Sequence, residues 1–172
     1  MKLLTSAADR FVFELEAEEH VLLQDLLPQC PLIPAAYHQL TRAPGPHHDP
    51  GNQQLLEAAM SAHKQSLRQT VTGWLKDHAH LVTQKSGYRL TLSRAEMEEV
   101  LQVVNDLRVG SWVRIGCPDP AEGVEPKLTK ANARYAILMD ICLEWEDQLL
   151  SALDGPGVLD NPDHPDGSRD RE

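Results

Sequence analysis

Three stretches of this chain repeat their apolar residues every three or four positions, over lengths that no ordinary strand reaches. Within 52–80 the positions are Leu56, Met60, His63, Leu67, Val71, Trp74 and His78. Within 94–115 they are Met97, Leu101, Val104, Arg108 and Ile115, with Trp112 close by. Within 130–153 they are Tyr135, Met139, Cys142, Glu146, Leu149 and Leu153. That spacing returns a side chain to the same face of an α-helix, and each stretch is long enough for a helix of about 30 Å. Three such helices must bury three stripes, and packing them on one another does so.

The strand signals are shorter. Phe11, Phe13 and Leu15 alternate with Val12 and Glu14, so "MKLLTSAADRFVFEL" reads as a small hairpin. A short helix over 17–27 follows and stops at Pro28. "YRLTL" alternates Tyr88, Leu90 and Leu92, and Ser93 with Glu96 then makes a capping box that starts the next helix at Arg94. The unit "FVFELEAEEHVLLQDLL" is loosely echoed by "YRLTLSRAEMEEVLQVV". Residues 28–51 hold six of the twelve prolines and read as a flexible connector, with one helical turn at Pro34 and "GPHHDPG" as its most mobile part. The fold class expected is mostly α: a bundle of three long helices plus a short one, with a small antiparallel sheet of two to three short strands at one end. It forms a single domain over 1–154, and 155–172 is an acidic tail with nothing to bury, expected to be disordered.

Charge narrows the function classes. Sixteen Lys and Arg stand against 26 Asp and Glu, formally −10. Residues 154–172 carry six acids and two bases, a share of −4 that leaves the body at −6. An acidic body without a basic run argues against direct binding to nucleic acid or to an anionic membrane. No stretch approaches the roughly 18–20 apolar residues of a membrane span, and "MKLLTSAADRFVF" lacks the apolar centre of a signal peptide. Three widely spaced cysteines, Cys30, Cys117 and Cys142, read as reduced thiols, so the expected location is cytoplasmic.

The candidate site residues are polar groups on apolar faces. Arg108 and Glu146 each stand inside a stripe, as does His63. A buried charge must be paired, so the first expectation is an Arg108–Glu146 ion pair beside a core histidine. Arg108 reaching out to solvent is the second, and a ligand or catalytic pocket built from His63, Arg108 and Glu146 is the third. Asp106 and Arg114 project away from the stripe and are candidates for a partner surface. His47, His48 and Asp49 sit in a Pro/Gly loop without further ligands at metal-site spacing, so no metal and no cofactor is expected. No phosphate loop, nucleophile elbow or HExxH motif is present.

"VVNDLRVGSWVRIG" resembles a segment of a bacterial family, best known from actinobacteria, whose genes often neighbour that of the ClpS proteolytic adaptor. The start "RFVFELEAEEHVLLQDLL" and the final helix "ARYAILMDICLEWEDQLLSAL" extend the likeness over about residues 9–153. Asn105, Asp106, Leu107, Arg108, Arg114 and Gly116 match the family segment. Members are sometimes described as AosR-type, redox-responsive transcriptional regulators acting through a sigma factor. The resemblance thus implies a non-enzymatic regulatory or adaptor protein with a protein partner, a sigma factor or a Clp-system component. The chain lacks the CxxxC pair of a cysteine switch of that kind. Two alternatives stand beside it: a small-molecule or metal-binding protein or enzyme with a site in the bundle, and a direct DNA-binding regulator, which the charge disfavours.

Overall fold

The computed structural model describes residues 1–7, 9–33, 50–119, 121, 123–126 and 128–155. The expected turn at Pro34, residues 45–49 of "GPHHDPG" and the tail from 156 onward lie outside them, whereas Pro50 and Gly51, the end of that stretch, are already helical rather than part of a mobile loop. The order is β1 (Lys2–Ala7), β2 (Arg10–Leu15), α1 (Ala17–Leu26) with a single 3-10 turn at Leu27–Gln29, then α2 (Pro50–Trp74), β3 (Leu81–Gln84), β4 (Gly87–Ser93), α3 (Arg94–Arg114) and α4 (Ala133–Asp154).

The expected mostly-α bundle with two or three strands is corrected. The fold is mixed α/β, with a four-stranded antiparallel sheet in the order β1-β2-β4-β3. The strand that sequence reading missed is β3. "HLVTQ" follows a helical pattern and looks like its tail, but α2 already stops at Trp74. Asp77 then makes a turn: its side chain accepts from Ala79 N at 2.9 Å and its carbonyl from Leu81 N at 2.8 Å. Beyond that turn Val82 and Thr83, β-branched, pair with Arg89 and Tyr88.

The sheet is built from two copies of one plan. β1–β2–α1 and β3–β4–α3 are each a hairpin followed by a helix. The inner strands pair as Phe11↔Leu92, Phe13↔Leu90 and Leu15↔Tyr88. Phe13 and Leu90 hold equivalent places in the two units, so this is the register of an approximate two-fold axis at their pair. Both helix starts repeat the same device: Glu19 Oε2 accepts from Glu16 N at 2.9 Å, and Glu96 Oε2 from Ser93 N at 2.7 Å. The sequence echo thus corresponds to a structural repeat.

The sheet's inner face supplies Phe11, Phe13, Leu15, Leu90 and Leu92 to the core, all buried. α3 lies against it and is itself flanked: α4 packs along one side, and α2 with the 3-10 turn packs on another. α3 therefore has two buried faces. Met97, Val104 and Ile115 belong to one, and Val103, Leu107 and Gly110 to the other. No helix among the described residues is long and apolar enough to cross a membrane.

Candidate functional site

The most constrained polar group is Asp106, expected at a partner surface and found 5% exposed. The correction has a simple cause. Asp106 lies off the main stripe but on the second buried face of α3, which meets α2 and the segment after the 3-10 turn. Its Oδ1 accepts from Leu32 N at 2.7 Å and more distantly from Ile33 N at 3.5 Å, with the Cys30 thiol 3.7 Å away. Its Oδ2 is 2.6 Å from Lys64 Nζ, whose side chain is only 14% exposed. One carboxylate thus joins three parts of the chain: α3, α2 and the strap at residues 30–33. One turn further along α3, Gly110 makes room for that strap. A Cβ built there would stand 2.3 Å from Leu32 Cβ and 2.9 Å from Leu32 carbonyl carbon.

Lys64 takes the inward place that His63 was expected to fill. His63 is exposed. At about 100° per residue, Lys64 lies nearer the centre of the face formed by Leu67 and Val71 than its neighbour does. A lysine there is tolerable because its aliphatic stem packs and its ammonium meets Asp106.

The structure does bring Arg108 and Glu146 together. Arg108 Nε is 2.7 Å from Glu146 Oε2, and Arg108 Nη2 donates to Asn105 Oδ1 at 2.9 Å. Glu146 Oε1 has no hydrogen-bond partner among the described residues. The pair spans the rim of the α3–α4 seam, with Arg108 35% and Glu146 13% exposed. It is intermediate between a buried bridge and a surface one. Arg108→Ala is accordingly expected to cost about 1–2 kcal/mol, between the extremes for exposed and buried pairs. Chemical denaturation of the two proteins checks this, and a cost near 4 kcal/mol would show a much drier pair. The third member of the expected cluster, His63, is not near them in burial. Two surface clefts, of about 280 and 460 Å³, are lined from the sheet, the β3–β4 turn and α4, and none of His63, Arg108 and Glu146 borders either. Arg114 is exposed, as expected of a surface residue. Its guanidinium lies 5.9 Å from the Tyr135 ring centre, and its carbonyl accepts from Asn132 Nδ2 at 3.3 Å.

A polar cluster that sequence reading missed stands at the corner between α2 and β3. His80 Nδ1 is 2.8 Å from Asp77 Oδ2, and its Nε2 is 2.9 Å from Glu96 Oε1. Its ring stacks on Trp74, with centroids 5.5 Å apart. The available signals were Asp77 three residues before His80, and the acidic member of the capping box at Glu96. Burial works against the charged imidazole, but its bonds to Glu96 and Asp77 outweigh that and raise its pKa above 6.5. For Glu96 burial acts upward, yet bonds from Ser93 and His80 hold its pKa below 4.5. Asp77 is lowered from 3.8, first by Ala79 N–H and then by His80.

The clamp's stabilising contribution follows in sign. The raised histidine contributes fully below about 6.5 and loses its contribution as pH rises through its folded pKa. The lowered carboxylates contribute above their ordinary values, near 4.5 for Glu96, and lose their contribution as pH falls through the folded ones. The difference in Tm between the wild type and His80→Gln should therefore be largest between about pH 4.5 and 6.5 and shrink toward pH 8. A thermal scan series that finds the difference growing toward pH 8 contradicts the clamp.

The three cysteines are free. Burial pushes the thiols of Cys30 and Cys142 up to about 12, helped by the charge of Asp106 in one case and of Glu146 in the other. Cys117 is only half-buried, in a left-handed conformation at φ 54° just past α3. With a thiol-alkylating reagent near pH 8, the native protein should label at Cys117, and at Cys30 and Cys142 only after unfolding. Peptide mass mapping checks the order, and fast labelling of Cys30 in the native fold would show that the strap opens.

Among the described residues no group of three or more His, Cys, Asp or Glu side chains is arranged to hold a metal ion. No family model, curated protein or solved structure matches the chain.

Proposed function

We propose that this protein is a non-enzymatic regulatory or adaptor protein that acts by contact with another protein, with the outer side of α4 as its contact face. The observation that carries this reading is the exposure of large aliphatic side chains along that helix: Ile137 is 64%, Leu143 57% and Leu150 51% exposed. These sit on a helix whose opposite side, Leu138, Cys142, Trp145, Leu149 and Ala152, is well buried. Isolated surface leucines need no explanation, but several on one well-anchored helix are what a contact face requires. The polar residues that could have formed a pocket are instead taken up in bracing the fold, Asp106 with Lys64 and Arg108 with Glu146. A pocket shared with His63 is not proposed, since His63 is exposed. The resemblance of "VNDLRVGSWVRIG" to the family encoded beside the ClpS adaptor supports the same reading, with stress-linked transcription or Clp proteolysis as its setting and a sigma factor or Clp-system component as the partner. The acidic charge favours a protein partner over direct contact with DNA.

The test is quantitative affinity capture from source-cell extract, comparing the wild type with Leu143→Ser/Leu150→Ser. Both leucines are exposed, so the double variant should keep its circular dichroism spectrum and its Tm. A protein captured by the wild type and lost with the variant supports the reading. Identical capture by both removes α4 as the contact face.

A further inference from the structure

The solvent face of α4 has a definite order. At about 100° per residue, Leu143 and Leu150 stand on one side, two turns apart and beside half-buried Met139. Ile137 stands on the other side. Between them runs a ridge of carboxylates, Asp140, Glu144 and Asp147, at the i, i+4, i+7 spacing of neighbours on a helix, all three exposed. Among the described residues none of the three is in a salt bridge. Glu144 Oε1 accepts only from an uncharged donor, Gln148 Nε2, at 3.1 Å. α4 carries no lysine, and its one arginine, Arg134, lies over the Tyr135 ring at 4.7 Å, at the far N-terminal end.

Three like charges in adjacent turns repel one another and weaken the helix that bears them. They are relieved by a partner that brings positive charge along the same line. We infer that α4 receives a basic amphipathic helix from another protein, its apolar side chains seated on Leu143 and Leu150 and its lysines or arginines aligned on Asp140, Glu144 and Asp147. This inference rests on the reading of α4 as a contact face and adds the chemistry of the partner. A second copy of this chain is the poorer occupant. Pairing α4 with α4 about a two-fold axis sets this carboxylate ridge against itself, and a juxtaposition of like charges opposes association.

The probe is a fluorescein-labelled peptide of about 18 residues, five helical turns, with leucines on one face and lysines along its border. Its twin has glutamate in place of every lysine. Fluorescence anisotropy is measured against the full-length protein, against Leu143→Ser/Leu150→Ser, and against Asp140→Asn/Glu144→Gln/Asp147→Asn. A third variant, Glu18→Gln/Asp25→Asn/Glu98→Gln, removes three exposed acids elsewhere and leaves the ridge intact. The lysine peptide is expected to bind the wild type and the third variant alike. It should lose about tenfold or more in affinity with either α4 variant, and weaken as salt rises. The glutamate peptide should not bind. Equal weakening by the ridge variant and the distant-acid variant overturns the inference, because binding then follows net charge alone. Binding of the glutamate peptide as tight as that of the lysine peptide also overturns it. Either failure leaves the contact face standing if capture from extract still depends on Leu143 and Leu150. Loss of that dependence brings down the contact face itself.

Discussion

Asp106→Ala should be among the most damaging single substitutions in this protein, with an expected cost of about 3–5 kcal/mol. The carboxylate is 5% exposed and serves Leu32 N, Lys64 Nζ and, more weakly, Ile33 N. Removing it takes away the carboxylate that faces a mostly buried ammonium and strips a backbone N–H of its acceptor in the same step. Against a total margin of 5–15 kcal/mol for a typical domain, that is a large share. For a chain of this size it corresponds to a fall in Tm of roughly 10 °C. Asp106→Asn retains an oxygen for Leu32 N and should cost less, and combining it with Lys64→Met, which removes the facing charge, should cost less again. Urea unfolding of the four proteins measures the series. Equal losses for Asp106→Ala and for the double variant would show that the charge pair is not what holds the strap.

Gly110→Ala gives the second large effect, and here two rules oppose each other. Glycine inside a helix is about 1 kcal/mol worse than alanine, so propensity alone favours the substitution. Packing runs the other way. The new methyl would meet Leu32 Cβ at 2.3 Å, Leu32 carbonyl carbon at 2.9 Å and Ile33 N at 3.0 Å, and two of those three atoms are backbone. Overpacking against rigid neighbours costs about 1–3 kcal/mol and sometimes more. The strap cannot retreat without lengthening its bond to Asp106. A net loss of about 2 kcal/mol is expected for alanine and a larger one for valine. A stabilised Gly110→Ala protein would mean that the strap yields freely and that its anchoring contributes little.

These two residues also show where the sequence was legible. The existence and period of the three long helices are readable because each shows one broad apolar stripe, although α2 ends at Trp74, short of the expected 80, and Arg108 with Glu146 stand out as the odd members of two such stripes. The second face of α3 was not readable in that way. It is short and made of Val103, Asp106, Leu107 and Gly110, and its need for burial arises only because the strap and α2 arrive from far along the chain. A mid-helix glycine four residues after an aspartate is the available clue. Lys64 was passed over for His63 because a histidine looks more at home in an apolar row, although the angular position favours the lysine. β3 was hidden for a different reason. Its four residues follow a helical run without a glycine or proline between, and the turn is made by the side chain of Asp77. The outer face of α4 carries the opposite signal to that of Arg108 and Glu146: its leucines are apolar residues among charges, which a search for charges among apolar residues does not reach.

On the proposed function, the polar residues of α3 and its neighbours brace the fold while the outer side of α4 meets the partner. Capture of the partner by Lys64→Met/Asp106→Asn, set beside capture by Leu143→Ser/Leu150→Ser under conditions where both are folded, tests it most directly. The first variant, though less stable, is expected to capture the partner as the wild type does, and the second, though as stable as the wild type, is not. Loss of the partner with the first and retention with the second would place the functional site at the Asp106 cluster and rule out α4 as the contact face.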